Sequence, residues 1–265
     1  MAEEGRIITD NGSLRILYHD LGKGDAVVCR LSFKPAEEYL LVDLMARGVH
    51  LFPPARAQIA SRSKVFQTVI FAPFMLPHTL VARDHHDLIE AIGLYSKEGI
   101  DRVVTKHDRK NAGMGIHLWS SLEEVYAQAS FGVIPYPFVV QPFIPGCRDI
   151  RTIFLGNYEE AYERRNPYNF RNNLHFGGQG AVHQLTGEER DICKKVMTRG
   201  DFPFAHVDLL VTPDHRTYLS EINLRGGLKG AKIKGEGYLT RLKTIYDQQV
   251  AYYIARPTAA VVSEQ

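Results

Sequence analysis

Two neighbouring strands in the last quarter of the sequence constrain the fold more than any other feature. Residues 207–211 form one apolar run, and residues 217–222 form a second. Pro213, Asp214 and His215 lie between the runs, and these residue types favour a tight turn. We therefore predict a β-hairpin that leads into a glycine-rich loop.

Three oxygen-bearing side chains are expected to converge on this hairpin. Asp208 interrupts the first apolar run, while Glu221 and Asn223 lie two residues apart at the end of the second and so point to the same face. Carboxylate and amide oxygens are hard ligands that suit Mg²⁺ held beside phosphate. The pattern also fits a hairpin with solvated acids, because acidic residues near strand ends are common.

Composition narrows the class of protein. The 265 residues suffice for one large domain or for two to three packed lobes. Hydrophobic content of 45% and charged content of 23% are typical of a soluble globular protein, and no apolar run approaches membrane-spanning length. A net charge of +2 gives no electrostatic basis for binding nucleic acid or an anionic membrane. The three cysteines include no CxxC pair, so we expect neither a zinc site nor a disulfide framework, and a reducing, cytoplasmic compartment.

The first sixty residues are predicted to form a small α/β unit. Residues 14–18, 26–31 and 49–52 are strand candidates, a helix is predicted from Pro35 to about residue 47, and residues 53–63 are predicted to be a connection. The remainder divides into a small lobe, a large lobe that carries the hairpin, and a flexible tail. These are residues 61–137, 138–256 and 257–265, after the first unit at 1–60.

A glycine-containing loop joins two predicted strands of the small lobe. The strands are residues 102–106 and 116–119, and Gly113 and Gly115 lie near the tip of the loop between them. Glycine lets backbone N–H groups approach phosphate oxygens closely, so this loop can cover a phosphate. It lacks the Gly-Lys-Ser/Thr ending of a Walker loop, and an ordinary mobile hairpin gives the same pattern.

Two further segments supply candidate binding groups. Residues 139–144 form an apolar strand that leaves the small lobe and is either a plain connection or a purine-binding edge. A purine docked there would use the carbonyl of Gln141 or Pro142 and the N–H of Phe143 or Ile144. Four arginines on the following strands and loops form a candidate anion site: Arg151, Arg164, Arg165 and Arg171.

From about Lys64 to Gly230 the sequence resembles the ATP-grasp ligases, and among them the RimK-like branch. The most specific matches are NFRNNLHFGG at residues 169–178, which is similar to the family's DFRSNLHRGG, and the pairing of VDLL with EIN in the predicted hairpin. Five further motifs occur in the family's order: VVTK, NAGMGI, VVQPFI, CRDIR and YERR. The resemblance implies an α/β ATP-grasp fold with two lobes that clasp ATP, preceded by a shortened pre-ATP-grasp unit.

Carried over by position, the resemblance implies a site for ATP and two Mg²⁺ or Mn²⁺ ions. Lys106, and less directly Lys64, would bind phosphates, and Arg164 would face an acyl phosphate. The ATP-binding set is Lys64, Lys106, Gly113, Gly115, Gln141, Pro142, Phe143, Ile144, Asp149, Arg171, Asn172 and Asn173. The metal ligands would be Asp208, Glu221 and Asn223, and the catalytic residues Arg164, Arg171 and Asn223.

Three departures from the family pattern affect the ends of this site. Pro142 stands where the family often has Glu, and Asn169 stands where it has Asp. Residues 224–227, Leu-Arg-Gly-Gly, replace a Ser-Pro-Gly turn after the EIN motif, where the acyl acceptor is expected. This departure leaves the substrate open, although Arg225 is suited to binding a carboxylate there.

The residues and the resemblance predict an ATP-dependent carboxylate–amine ligase. A carboxylate would attack the γ-phosphate of ATP to form an acyl phosphate, and an amine would then displace phosphate to leave an amide or peptide-like bond. The partners would be ATP, a carboxylate and an amine such as an amino acid or peptide, without nucleic acid or membrane. Two alternatives remain: an ATP-binding regulatory module without ligase turnover, and a kinase that stops at phosphoryl transfer. The sequence leaves the oligomeric state open.

Overall fold

A computed structural model describes residues 5–34, 36–110, 113–172, 177–255 and 259–262. Three β-sheets with flanking helices give the predicted mixed α/β class. The strands are β1 (Gly5–Ile8), β2 (Ala26–Val28), β3 (His50–Phe52), β4 (Leu80–Ala82), β5 (Val103–His107), β6 (Ile116–Trp119), β7 (Phe138–Pro142), β8 (Arg148–Leu155), β9 (Tyr158–Arg165), β10 (Gln179–His183), β11 (Phe204–Val211), β12 (Thr217–Asn223) and β13 (Ala259–Val262). The helices are α1 (Asn11–Leu17), α2 (Tyr39–Ala46), α3 (Ala55–Ala60), α4 (Lys64–Ile70), α5 (His85–Lys97), α6 (Leu122–Ser130), α7 (Gly187–Gly200) and α8 (Gly235–Ile254).

The first sheet is parallel and joins the two ends of the described chain. Its strand order is β13-β1-β2-β3, with Gly5 opposite Ala259. Parallel neighbours need a crossover connection, and α1 lies between β1 and β2 as α2 lies between β2 and β3. The prediction of a flexible tail over residues 257–265 is therefore wrong for residues 259–262, which supply a strand of this sheet.

Local capping explains a second correction in this unit. Residues 14–18, predicted as a strand, lie mostly in helix α1, because the Asp10 carboxylate accepts two backbone N–H groups of the first turn at 2.8 and 2.9 Å. The predicted connection over residues 53–63 contains helix α3. Helix α2 begins at Tyr39, later than predicted, and Pro35 lies outside the described residues.

The second sheet is antiparallel, in the order β4-β7-β5-β6. Helices α5 and α6 contribute Leu88 and Val125 to a core that also contains Phe138 of β7. Strands β5 and β6 form a hairpin in which Lys106 lies opposite Ile116. The predicted glycine loop therefore connects the two strands of this hairpin and begins directly after His107, the last residue of β5.

The third sheet is also antiparallel, in the order β10-β9-β8-β11-β12, and carries the predicted hairpin as β11 and β12. Helix α7 starts with a capping box in which Thr186 and Glu189 satisfy each other's backbone N–H groups. Helices α7 and α8 pack against the sheet and bury an apolar face that includes Val207 and Cys193. In the described part of the chain, no helix is both long and apolar enough to cross a membrane.

Helix α4 connects the second and third sheets. It contacts β4, β7 and β12. The buried Gln67 side chain accepts the Ile222 N–H at 3.0 Å and donates to the Ile222 carbonyl at 2.9 Å. Both backbone groups at the edge of the sheet are thereby satisfied. This packing holds the first residue of α4, Lys64, beside the end of β12. The division of the chain into lobes remains a prediction.

Candidate functional site

Five charged side chains form a row across one face of the third sheet. In the strand register Asp149 lies opposite Arg164, Arg151 lies opposite Asp208, and Asp208 lies opposite Glu221. Residues directly opposite in neighbouring strands share a face, as do residues two apart in one strand. The row therefore runs over β9, β8, β11 and β12, on the face opposite to the apolar core under α7.

Asp208 is the centre of this row. Arg151 donates from Nε and Nη2 to its two carboxylate oxygens, both at 2.7 Å. Arg164 donates from Nη2 to Asp208 Oδ2 at 2.9 Å and to Asp149 Oδ1 at 2.6 Å. Burial alone raises the pKa of Asp208, but the two guanidinium groups outweigh burial and hold that pKa well below its usual range. Asp208 is therefore an ionised carboxylate in a site from which water is largely excluded.

Glu221 ends the row and is paired with Lys64. Lys64 Nζ lies 3.0 Å from Glu221 Oε1 and 2.8 Å from the backbone carbonyl of Lys110. Asn223 Nδ2 also donates to Glu221 Oε1, at 3.1 Å. Burial raises the pKa of Glu221, but the Lys64 ammonium opposes burial and the net pKa is lowered. Lys64 thus joins helix α4, the third sheet and the loop after β5.

The predicted metal ligands retain oxygen atoms for an ion. A carboxylate has about four lone-pair sites; Asp208 accepts one hydrogen bond on Oδ1 and two on Oδ2, which leaves one site on Oδ1. Glu221 accepts both of its hydrogen bonds on Oε1, which leaves Oε2. Two carboxylates and the Asn223 amide oxygen suit Mg²⁺, which takes its other ligands from water and phosphate. Among the described residues no three His, Cys, Asp or Glu side chains form a metal site, so the set depends on Asn223.

Lys106 approaches the same region from the second sheet. Its Nζ lies 3.5 Å from both the carbonyl and the hydroxyl oxygen of Ser220, the residue before Glu221. Burial lowers the pKa of Lys106 to about 8, with Glu221 opposing this shift and Lys64 adding to it. The ammonium group is therefore protonated at neutral pH and has no strong partner of its own within the described chain.

The loop after β5 is anchored over the site at several points. Ser63 donates through Oγ to Asp108 at 3.0 Å, and Arg109 forms an ion pair with Glu38 of the first unit. A Cβ atom at Gly115 would lie only 2.7 Å from the Lys110 side chain, so glycine is required there for packing within the loop itself. Gly113 has a φ of 76°, which favours glycine. Residues 111 and 112 lie outside the described residues.

The predicted adenine edge needs one correction. The Phe143 N–H donates to the carbonyl of Arg102 at 2.9 Å, so it is not available to a purine. The Arg102 guanidinium also lies 4.6 Å from the centre of the Phe143 ring. Gln141 and Pro142 are paired in β7 with β5. The N–H of Ile144 is the donor that remains from the predicted pair.

The loop that carries the NFRNN motif contacts the second sheet. Arg171 Nε donates to the carbonyl of Ile116 at 2.9 Å, and the guanidinium lies over Phe170. Asn172 Oδ1 accepts the Asn166 N–H at 3.1 Å. Arg171 is thus held at β6, while Asn173 lies outside the described residues.

His206 is not among the predicted site residues, although it lies on the charged face opposite Asn223. Its Nε2 lies 3.1 Å from the hydroxyl oxygen of Tyr238, and burial lowers its pKa to about 3, so the ring is neutral. A Cβ atom at Gly226 would lie 2.6 Å from His206 Nδ1. The loop that departs from the family pattern therefore packs directly on this ring. In the sequence, the signal that could have pointed to His206 is its two-residue spacing from Asp208.

Similarity to known proteins extends over most of the chain. The profile of the RimK-like ATP-grasp domain matches residues 60–238. A protein from Shewanella amazonensis called probable alpha-L-glutamate ligase 1 is 31% identical over 239 residues, which cover 82% of this chain and 74% of that protein.

Solved structures share the fold. D-alanyl-alanine synthetase A from Vibrio cholerae superimposes with a TM-score of 0.60 at 14% identity, over 86% of this chain and 77% of that one. The ATP-grasp ligase PsnB, solved with its minimal precursor, Mg and ADP, gives a TM-score of 0.57 at 14% identity, again over 86% and 77%. At such identity the likeness concerns the fold alone, and it confirms the predicted ATP-grasp fold.

Proposed function

Because this chain belongs to the RimK-like ATP-grasp family of ligases, we propose that it joins a carboxylate to an amine through an acyl phosphate, with conversion of ATP to ADP and phosphate. The observation that carries the proposal is the row of paired charges on the third sheet, which continues through Lys64 to the loop after β5. Two carboxylates, an amide oxygen, two arginines and two lysines face one region, and groups of these kinds hold the metal ions and phosphates of ATP in phosphoryl-transfer enzymes.

Arg164 is the residue best suited to contact the transferred phosphoryl group. Its Nε and Nη2 are held by Asp149 and Asp208. Its Nη1 makes no hydrogen bond within the described residues, so it can donate to an incoming oxyanion. A donor that is oriented in advance stabilises charge as it develops without reorganising during the reaction.

Lys64 and Lys106 are proposed to bind the phosphates. Lys64 Nζ lies 3.0 Å from Glu221 Oε1, and Lys106 Nζ lies 3.5 Å from Ser220, the residue before Glu221. A Mg²⁺ ion held by Asp208, Glu221 and Asn223 would neutralise phosphate charge and orient the in-line transfer.

In the proposed reaction, a carboxylate oxygen forms a bond to the γ-phosphorus while the bond to the β-phosphate oxygen breaks and ADP leaves. The amine nitrogen then attacks the acyl carbon, phosphate leaves with the electrons of the C–O bond, and the amine loses a proton. Water must be excluded because the acyl phosphate hydrolyses easily. The loop after β5 is suited to this, since its contacts with Lys64 and Ser63 hold it across the site.

The test is amine-dependent release of ADP by the full chain, with Mg-ATP and a panel of carboxylates and amines. The name of the Shewanella amazonensis relative makes glutamate the first amine to include. Glu221→Gln is expected to lower turnover by at least about a hundredfold, because the Mg²⁺ that would neutralise the phosphate charge loses a carboxylate ligand. Asp214→Asn is the matched control, since Asp214 is an exposed acid in the turn of the same hairpin and should leave turnover unchanged.

Three outcomes would contradict the proposal. Tight Mg-ATP binding without ADP release for any pair would favour a regulatory module. A stable phosphorylated acid that forms without an amine would favour a kinase. Near-normal turnover in Glu221→Gln would place the metal site elsewhere.

A further inference from the structure

A second group of arginines lies just beyond the charged row. Arg30 follows β2, Arg62 precedes α4, and Arg225 follows β12, so three segments that are distant in sequence meet here. The positive charge of Arg225 repels that of Arg30, and the charge of Arg30 repels that of Arg62. The three guanidinium groups therefore lie near one another. We call this group the arginine cluster.

Hydrogen bonds fix the backbone around the arginine cluster. The N–H of Leu224 donates to Ser61 Oγ at 2.9 Å, which joins the residues before Arg225 and Arg62. Arg62 itself donates to the carbonyl of Leu31, the residue after Arg30, and its guanidinium lies 3.8 Å from the centre of the Phe33 ring. The cluster is therefore built into the junction of the first unit, helix α4 and the end of β12.

The charges of this cluster have no carboxylate partner among the described residues. Burial lowers the pKa of Arg30, with repulsion from Arg225 adding to it, and burial with repulsion from Arg30 lowers the pKa of Arg62 to about 10. With a pKa of about 10, Arg62 stays protonated at neutral pH. By contrast, Arg151 and Arg164 of the charged row, and Lys64 beside it, each have an acid within 3.0 Å.

Like charges gathered without a counter-ion are unfavourable, and here Arg62 is half-buried while Arg30 and Arg225 are exposed, so an anion can reach them from solvent. A site that binds an anion removes this cost when the anion arrives. Guanidinium groups match the two oxygens of a carboxylate in particular. We propose that Arg30, Arg62 and Arg225 form an anion subsite that binds a substrate carboxylate other than the one that is activated.

The position of the cluster supports this assignment, which rests on the proposed ligase function. Arg225 lies two residues beyond Asn223. Burial raises the pKa of Tyr238, and the positive charges of Arg225 and Arg30 both oppose this shift, so both lie near the Tyr238 hydroxyl. Tyr238 contacts His206 at 3.1 Å, and His206 shares a strand face with Asp208. A substrate whose reacting carboxylate lies at the charged row would thus reach the arginine cluster with a second acidic group.

Equilibrium binding tests the subsite without relying on turnover. The full chain with Mg-ADP is titrated calorimetrically, at fixed ionic strength, with malonate, succinate, glutarate and adipate and with the monoamide of each. At least one diacid should bind about tenfold more tightly than its monoamide, because a hydrogen bond to a charged group is lost in the amide. In Arg30→Gln and Arg225→Gln this ratio should fall to near one. Arg216→Gln, an exposed arginine in the β11–β12 turn, should keep the native ratio.

The proposal is overturned if no diacid is preferred over its monoamide, or if the preference survives in Arg30→Gln and Arg225→Gln. Inorganic phosphate is titrated in parallel. Phosphate binding that depends on both arginines, without any diacid preference, would make the subsite a phosphate site and overturn the carboxylate assignment. Diacid preference with no amine-dependent ADP release would overturn the proposed function and leave the subsite in place. Amine-dependent ADP release with no diacid preference would overturn the subsite alone.

Discussion

Gly226→Ala offers a sharp test of how the site is packed. A Cβ atom at Gly226 would lie 2.6 Å from Nδ1 and 2.8 Å from Cγ of His206. These distances are well inside van der Waals contact, and the His206 ring is 1% exposed and held by Tyr238 at 3.1 Å. The ring cannot swing into solvent, so the substitution has to shift the ring or the loop.

The size of the effect follows from two opposing contributions. Overpacking a buried site costs about 1–3 kcal/mol, and replacing glycine by alanine recovers about 0.4–1 kcal/mol through the unfolded chain. We expect Gly226→Ala to lower the free energy of unfolding by about 1–2 kcal/mol, and Tm by roughly 2–8 °C for a chain of this size. Turnover should also fall, because His206 neighbours Asp208 on the same face.

Gly227→Ala is the matched control. A Cβ atom at Gly227 would meet no atom within 4 Å. We expect its free energy of unfolding to be unchanged or raised by up to about 1 kcal/mol. Chemical denaturation of both variants measures the difference, and steady-state turnover is recorded on the same samples. Equal stability of the two variants would refute the packing of residue 226 against His206.

Further expectations concern the charged row and its support. The pKa of Lys106 is lowered to about 8, and bound phosphate raises an ammonium pKa, so ATP binding is favoured below pH 8 and weakens above it. The KM for ATP should rise by up to about tenfold per pH unit above 8, and Lys106→Arg should remove this rise, in a pH series of initial rates. Asp208→Asn leaves Arg151 without its charge partner and Arg164 with Asp149 alone, so it should lower the free energy of unfolding by about 3–5 kcal/mol in urea denaturation, whereas the exposed Asp214→Asn should leave that free energy nearly unchanged. Gln67→Leu leaves both backbone groups of Ile222 unpaired and should cost about 2–4 kcal/mol in the same assay.

The hairpin and the charge pairs near it could be predicted because their signals are local or belong to the family. Alternation in β11 and β12 placed Asp208 and Glu221, and the register puts them directly opposite each other. The resemblance selected Lys64, and the structure brings its ammonium group to Glu221 across 157 residues of sequence. The roles of these residues in binding and catalysis remain predictions.

Other features could not be predicted because they depend on contacts that the sequence does not order. Helix α1 forms where a strand was predicted, since the Asp10 cap outweighs the apolar run that follows it. The Phe143 N–H donates to the carbonyl of Arg102, the residue before β5, and β5 pairs with β7. The arginine cluster joins residues that lie up to 195 positions apart (225 − 30), and no spacing rule links them.

Transfer of labelled oxygen shows whether an acyl phosphate forms during the reaction. A carboxylate substrate that supports amine-dependent ADP release is prepared with ¹⁸O in both carboxyl oxygens, and the released phosphate is analysed by mass spectrometry. If an acyl phosphate forms, one labelled oxygen becomes the bridge to phosphorus and leaves with the phosphate when the amine attacks the acyl carbon. We expect one ¹⁸O in phosphate for each ADP formed. Phosphate without the label would contradict it, because the γ-phosphate would then have been transferred to water.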